Sequence, residues 1–275
     1  MTLYNTFAVA SANSNTVTIR GYSDAELEHP ESNLVFAIYQ QLCRANGWSP
    51  VPFALTNNND IPLYGGIGSS AAAIVAAIAI AGRIHQARWD KDTMLHIAFG
   101  FESHLDNIAA AIFGGFVVTS HSKDRKHPLV VQKSINTPLC AWLLVPHLRV
   151  ATSASRIAMP QQISYDAAVF NLAHAAQLAL AFERQDWQLL GACMQDKLHQ
   201  PYRKDSCAGM LTLAADLQQA GAYAMALSGS GPAVLVLCKK PTKAMQQCVA
   251  KHMQQQKIEY SELQLGIDNQ GVRYS

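Results

Sequence analysis

The segment Pro62-Leu63-Tyr64-Gly65-Gly66-Ile67-Gly68-Ser69-Ser70-Ala71-Ala72 constrains this chain more than any other. Its glycines let the backbone turn sharply and approach another group closely. Two serines and a small-residue apolar run follow, and the pattern predicts a buried helix over about 70–84. Free N–H groups at such a helix start, on the positive end of its dipole, attract phosphate. A Walker-type loop needs a lysine before the Ser/Thr, and Gly68-Ser69-Ser70 has none. A dinucleotide fingerprint fits formally as Gly66-x-Gly68-x-x-Ala71. It should turn straight out of a strand and meet an acid at the end of a second one. Here Asn57 to Pro62 intervenes, and Asp90 and Asp92 fall at a helix start. On the loop alone, a glycine turn that merely caps a buried helix stays open.

The rest of the chain reads as a packed enzyme. Hydrophobic residues make up 49% of its 275 residues and charged ones 15%, which excludes a disordered scaffold. A net charge of +2, with Lys123 to His127 as a short polar turn, gives no basic face for nucleic acid. Six cysteines without CxxC pairs point to a reducing, cytoplasmic setting. No signal peptide is evident, and the apolar run from Ala71 to Ala81 is too short to span a membrane.

Periodicity predicts helices over 33–46, 70–84, 91–100 and 106–112, with a short strand at 51–55 followed by a polar turn at 57–60. Strands are expected at 116–120, 129–133 and 140–145. The pattern is then almost wholly helical over 164–200, with a further helix at 208–219. Strands at 222–227, 233–238 and 258–265 enclose a helix at 241–254. The expectation is an α+β chain divided near residue 148 into domains 1–148 and 149–275.

The loop resembles the phosphate motif Pro-x-x-x-Gly-Leu-Gly-Ser-Ser-Ala of the GHMP kinases, with Ile67 in place of leucine. Ser228-Gly229-Ser230-Gly231-Pro232 resembles a second signature of that superfamily, although alone it reads equally as an ordinary turn. Three more segments resemble the homoserine kinases within it. They are Glu102-Ser103-His104-Leu105-Asp106-Asn107 with Gly114-Gly115, then Thr152-Ser153-Ala154-Ser155-Arg156 with Pro160, then Asp196-Lys197-Leu198-His199-Gln200-Pro201-Tyr202-Arg203.

The resemblance implies a GHMP kinase-like two-domain fold. Its N-terminal half carries the phosphate loop, and its C-terminal half is ferredoxin-like. It also implies transfer of the ATP γ-phosphoryl group to the side-chain hydroxyl of L-homoserine, giving O-phosphohomoserine for threonine synthesis. By similarity, Pro62 to Ala72 cradle ATP, and Ser70 with Glu102 hold Mg²⁺, which favours oxygen ligands. Asp106, with His104 beside it, faces the substrate ammonium. Arg156 and Arg203 clamp its carboxylate, and Thr152 adds a hydroxyl contact. Asp106 and Arg156 are the residues assigned to catalysis. No strong general base stands out; His104 and Asp106 are the candidate proton acceptors. Read without the family, Asp106 is a helix cap, the arginines are surface ion pairs and His104 is a core polar contact. A homodimer is what the resemblance implies for assembly.

One departure is clear. The family opens with Pro-Ala-Ser-x-Ala-Asn-x-Gly-x-Gly-Phe-Asp well before its Asn-Leu-Val helix. Here that helix starts at Asn33-Leu34-Val35, so too little chain precedes it. The expectation is a chain that begins about where the family's second strand would start, with an open sheet edge. The competing readings are another GHMP kinase with a different alcohol, and a shortened relative with weak or no activity.

Overall fold

A computed structural model describes residues 1–25, 27–102, 104–124, 126–148, 159–203 and 207–274. The chain divides into two compact units that interleave in sequence. One contains residues 3–63, 68–132 and 268–275; the other contains 1–2, 64–67 and 133–267. The glycine-serine loop therefore passes from the second unit into the first between Ile67 and Gly68.

In the first unit, strands β1 (Asn5–Ser11) and β2 (Thr16–Gly21) flank β3 (Phe53–Asn59), antiparallel and parallel to it respectively. The sequence pattern did not yield β1 and β2 as strands. It also took Asn57 to Asp60 for a turn, whereas Asn57, Asn58 and Asn59 continue β3. Asparagine is a poor strand former, but here both neighbouring strands use its main chain: Asn59 pairs with Asn5 and with Gly21. Helix α1 (Leu34–Asn46) starts where the Asn33 side chain accepts from Val35 N, and it ends at Gly47 in the left-handed region, φ 68°. Its buried face brings Phe36 onto Phe53, ring centroids 4.7 Å apart, and Tyr39 edge-on to the same ring. Helix α2 (Ser69–Ile84) is apolar on nearly every side and forms the middle of this core. Helices α3 (Lys91–Phe99) and α4 (Leu105–Phe113) contribute Leu95, Ile108 and Ile112. Strands β4 (Phe116–His121) and β5 (Pro128–Lys133) form a separate pair.

The second unit has the ferredoxin-like form expected. Strands β6 (Cys140–Pro146), β7 (Ala224–Leu227), β8 (Val234–Cys238) and β9 (Tyr260–Leu265) form an antiparallel sheet in the order β7-β8-β6-β9. Strand β6 starts after residue 133 and, among the described residues, pairs with β8 and β9 of this unit, so residue 148 lies inside the unit. Trp142 and Leu144 point into one core with Leu217, Met245 and Val249. Leu143 and Val145 point into another with Ala233 and Ile67. The helical stretch after residue 164 is interrupted. Helix α5 (Tyr165–Arg184) closes at Gln185, φ 57°, and α6 (Trp187–Cys193) gives way to a turn before the 3₁₀ segment Gln200–Tyr202. Residues Met210–Leu213 are also 3₁₀, ahead of α7 (Ala214–Gln219), and α8 (Lys243–Gln256) follows β8. Among the described residues no helix is long and apolar enough to cross a membrane.

Candidate active site

In the second unit, Tyr64 and Gly66 both have positive φ, 58° and 70°. Gly65 O accepts from Ala233 N at 3.1 Å, and Gly66 O accepts from Ser228 Oγ at 3.1 Å. A Cβ on Gly66 would stand 2.4 Å from Ser228 O, and one on Gly229 2.7 Å from Gly66 O. Those distances forbid a side chain at either position. Ile67 packs with Leu143 and Val145 beneath the sheet, which anchors the loop's next residue. The segment Ser228 to Pro232 is thus more than a connection between β7 and β8. It is the surface against which Gly65 and Gly66 are shaped.

In the first unit, Gly68 caps α2 with φ 87° and no side-chain capping bond. This backbone presents the helix start, with its partial positive charge, to whatever lies before it. Gly68 also lies against α4: a Cβ there would meet Asn107 Oδ1 at 3.3 Å. His104 caps α4 through its main chain without a side-chain bond, and Asp106 sits exposed in the first turn. Asp106 Oδ1 accepts from Asn107 N at 2.8 Å, and Glu102 Oε1 accepts from His104 N at 2.9 Å. Glu102, His104 and Asp106 therefore occupy one short stretch, with Asn107 joining it to the loop. His104 is exposed rather than a core contact.

Arg203 belongs to the second unit and is 7% exposed, which excludes a surface ion pair. Its Nη1 meets His199 Nε2. The turn that carries both is built on Asp196. Its carboxylate accepts from Asn171 Nδ2 (2.7 Å), Leu198 N (2.7 Å), His199 N (2.8 Å) and Gln200 N. Burial alone would push this carboxyl up, but those hydrogen bonds outweigh burial and hold it below the usual aspartate value. Thr152 and Arg156 lie outside the described residues. The residues overlooked in the sequence are Asn107, Asp196, Gln200 and Ser228. Each stands inside a quoted motif, so the motifs themselves were the available signal.

A cavity of about 600 Å³ lined by Arg83, Arg88, Trp89 and Tyr274 among others lies at the opposite, C-terminal end of α2. None of the motif residues lines it.

Residues 33–115 match the GHMP kinases N terminal domain, and residues 178–255 match the GHMP kinases C terminal domain. The homoserine kinase of Aquifex aeolicus is 35% identical over 239 residues, 86% of this chain and 79% of that protein. The chain belongs to the homoserine kinases. A second member, from Helicobacter hepaticus, is 32% identical over 86% of this chain and 80% of its own length. The crystal structure of homoserine kinase from Cytophaga hutchinsonii superposes with a TM-score of 0.81 at 25% identity. That match covers 96% of this chain and 86% of the other. The homoserine kinase fold thus accounts for the interleaved units and the ferredoxin-like sheet, and the chain is a kinase of the GHMP type.

Proposed function

We propose that this chain transfers the γ-phosphoryl group of ATP to the side-chain hydroxyl of L-homoserine, producing ADP and O-phospho-L-homoserine. The observation that carries the reading is the loop. Gly65 and Gly66 are locked onto Ser228 to Ala233, and the same loop runs into a helix start with no side-chain cap. Such a backbone suits phosphate oxygens, and the side-chain-free glycines let them approach closely. The hydroxyl oxygen forms a bond to the γ-phosphorus, and the bond from that phosphorus to the β,γ-bridging oxygen breaks with its electron pair leaving on ADP. The hydroxyl proton passes to His104 or Asp106, the candidate acceptors. This chemistry asks the protein mainly for alignment and charge.

The residues divide accordingly. Pro62 to Ala72 hold the phosphates. The Ser70 hydroxyl and the Glu102 carboxylate are hard oxygen donors that fit Mg²⁺, which when bound neutralises phosphate charge. Asp106, with His104, takes the substrate ammonium. Arg203, Arg156 and Thr152 take its carboxylate, and the burial of Arg203 strengthens its attraction for an anion.

The test is coupled ADP release with L-homoserine, mevalonate and galactose, each with and without Mg²⁺. Turnover with homoserine alone is expected; turnover confined to another alcohol refutes the substrate. Ser70→Ala and Glu102→Gln should each lower kcat about 100-fold, the scale of losing one electrostatic contributor. Mg²⁺-dependent rates unchanged in both would remove their assigned role.

A further inference from the structure

Gln200 is one of three variable positions in the Asp-x-x-His-x-Pro-Tyr-Arg segment, and nothing in the motif gives it a task. In the fold its main-chain and side-chain polar groups are all engaged. Its main-chain N donates to Asp196 Oδ2, and its main-chain O accepts from Arg203 N at 3.0 Å. On the side chain, Oε1 accepts from Leu227 N at 2.9 Å, and Nε2 donates to Met194 O at 3.2 Å. Leu227 is the last residue of β7, which among the described residues is an edge strand paired with β8. An edge strand turns one row of N–H groups away from its sheet, and the Gln200 amide satisfies the one nearest the loop. The next residue is Ser228, whose Oγ donates to Gly66 O.

We propose that Gln200 is a positioning residue that ties the Arg203 turn to the phosphate loop through Leu227 and Ser228. Its main chain sets the turn that ends on Arg203. Its side chain sets the end of β7, from which Ser228 holds Gly66. An amide suits the place, because one oxygen faces an N–H and one NH₂ faces a carbonyl. Methionine has similar length and neither group. Glutamate keeps the acceptor for Leu227 but turns an oxygen against Met194 O. The inference rests on the proposed function for what the two ends bind, not for the links between them.

The experiment uses the full chain and four variants: Gln200→Met, Gln200→Glu, Ser228→Ala and the Gln200→Met/Ser228→Ala double. ATP dissociation constants are measured by calorimetry, KM for ATP and L-homoserine by coupled assay, and melting temperature by fluorescence. Gln200→Met is expected to weaken ATP binding about tenfold, the scale of stranding a hydrogen-bonding group. Gln200→Glu should weaken it less. Because the links lie in series, the double variant should bind ATP no more weakly than the worse single. A lowered melting temperature with unchanged ATP affinity in folded Gln200→Met would reduce Gln200 to a stability role and overturn the proposal. Additive losses in the double variant would overturn it too. If Gln200→Met does not fold, Gln200→Glu combined with Ser228→Ala completes the same cycle. Wild-type protein that binds ATP yet phosphorylates another alcohol sinks the substrate reading alone, since the ATP cycle still decides Gln200. Wild-type protein that binds no ATP sinks both.

Discussion

The two central strands β3 and β6 solve one problem in opposite ways. Strand β6 is buried along almost its whole length and feeds side chains into cores on both faces, Trp142 and Leu144 on one, Leu143 and Val145 on the other. Strand β3 alternates buried and half-buried positions, and its inward face runs Phe53, Leu55, Asn57, Asn59. Its first half is packed by aromatic rings, while its second half buries amides as the chain runs on toward the glycine loop. Among the described residues, Asn57 Oδ1 and Asn59 Oδ1 are buried without a hydrogen-bond partner. Stability and polarity are thus distributed unevenly: the central strand of the second sheet is an apolar platform, and that of the first carries an energetic penalty in its second half.

The largest effect should come from the platform. Trp142 is fully buried, and its Nε1 donates to Glu262 Oε2 at 3.1 Å. Trp142→Ala should cost about 3–5 kcal/mol in urea unfolding, the usual range for emptying such a site. A loss below about 1 kcal/mol, the scale of an ordinary surface change, would break the contrast. A smaller effect of opposite sign is expected on β3. Asn57→Leu removes an unsatisfied acceptor and should leave stability unchanged or raise it by about 1 kcal/mol. Destabilisation comparable to Trp142→Ala would mean that Asn57 is a structural asset and that the penalty does not exist.

The smallest effect concerns pH. His85, at the end of α2, stacks between Trp48 and Tyr39, and its Nε2 lies 3.1 Å from the Tyr39 hydroxyl. Burial lowers its pKa below the ordinary histidine value of 6.5. The unfolded chain therefore binds the proton more readily, so the stability due to neutral His85 is full above 6.5 and is lost as pH falls from there toward the folded value. Asp196 acts in a lower window, since its folded pKa lies below 3.8. Its contribution is full above that value and fades only as pH drops through the folded pKa. Hydrogen exchange at pH 7 and pH 5 should show protection falling first around α1 and β3, and His85→Gln should flatten that change. Equal losses around β6 and β3 would refute the assignment.

Much of this was legible in the sequence, for identifiable reasons. The run Ala141-Trp142-Leu143-Leu144-Val145 admits little but a buried strand, and α2 announces itself by small apolar residues after a glycine turn. Strand β3 was cut short because Asn57-Asn58-Asn59 has turn composition, and only pairing with distant strands keeps it extended. That Gly66 and Gly68 would let the chain turn sharply was legible in their lack of a side chain. The roles of Ser228, Asn107 and Gln200 were not, since each depends on a partner remote in the chain or on the opposite side of a turn. The burial of Arg203 was equally hidden, because an arginine in a polar segment ordinarily reads as surface.

The lock between Gly66 and Ser228 spans 162 residues of sequence. A ribosome delivers α2 and its core long before it delivers β7 and β8, and N-terminal units generally fold first during synthesis. Through that interval Gly65 and Gly66 have nothing to be moulded against. The glycine loop therefore takes its shape near the end of translation. Unfinished chains and fragments cut before Ser228 lack the lock and should draw little on the cell's ATP.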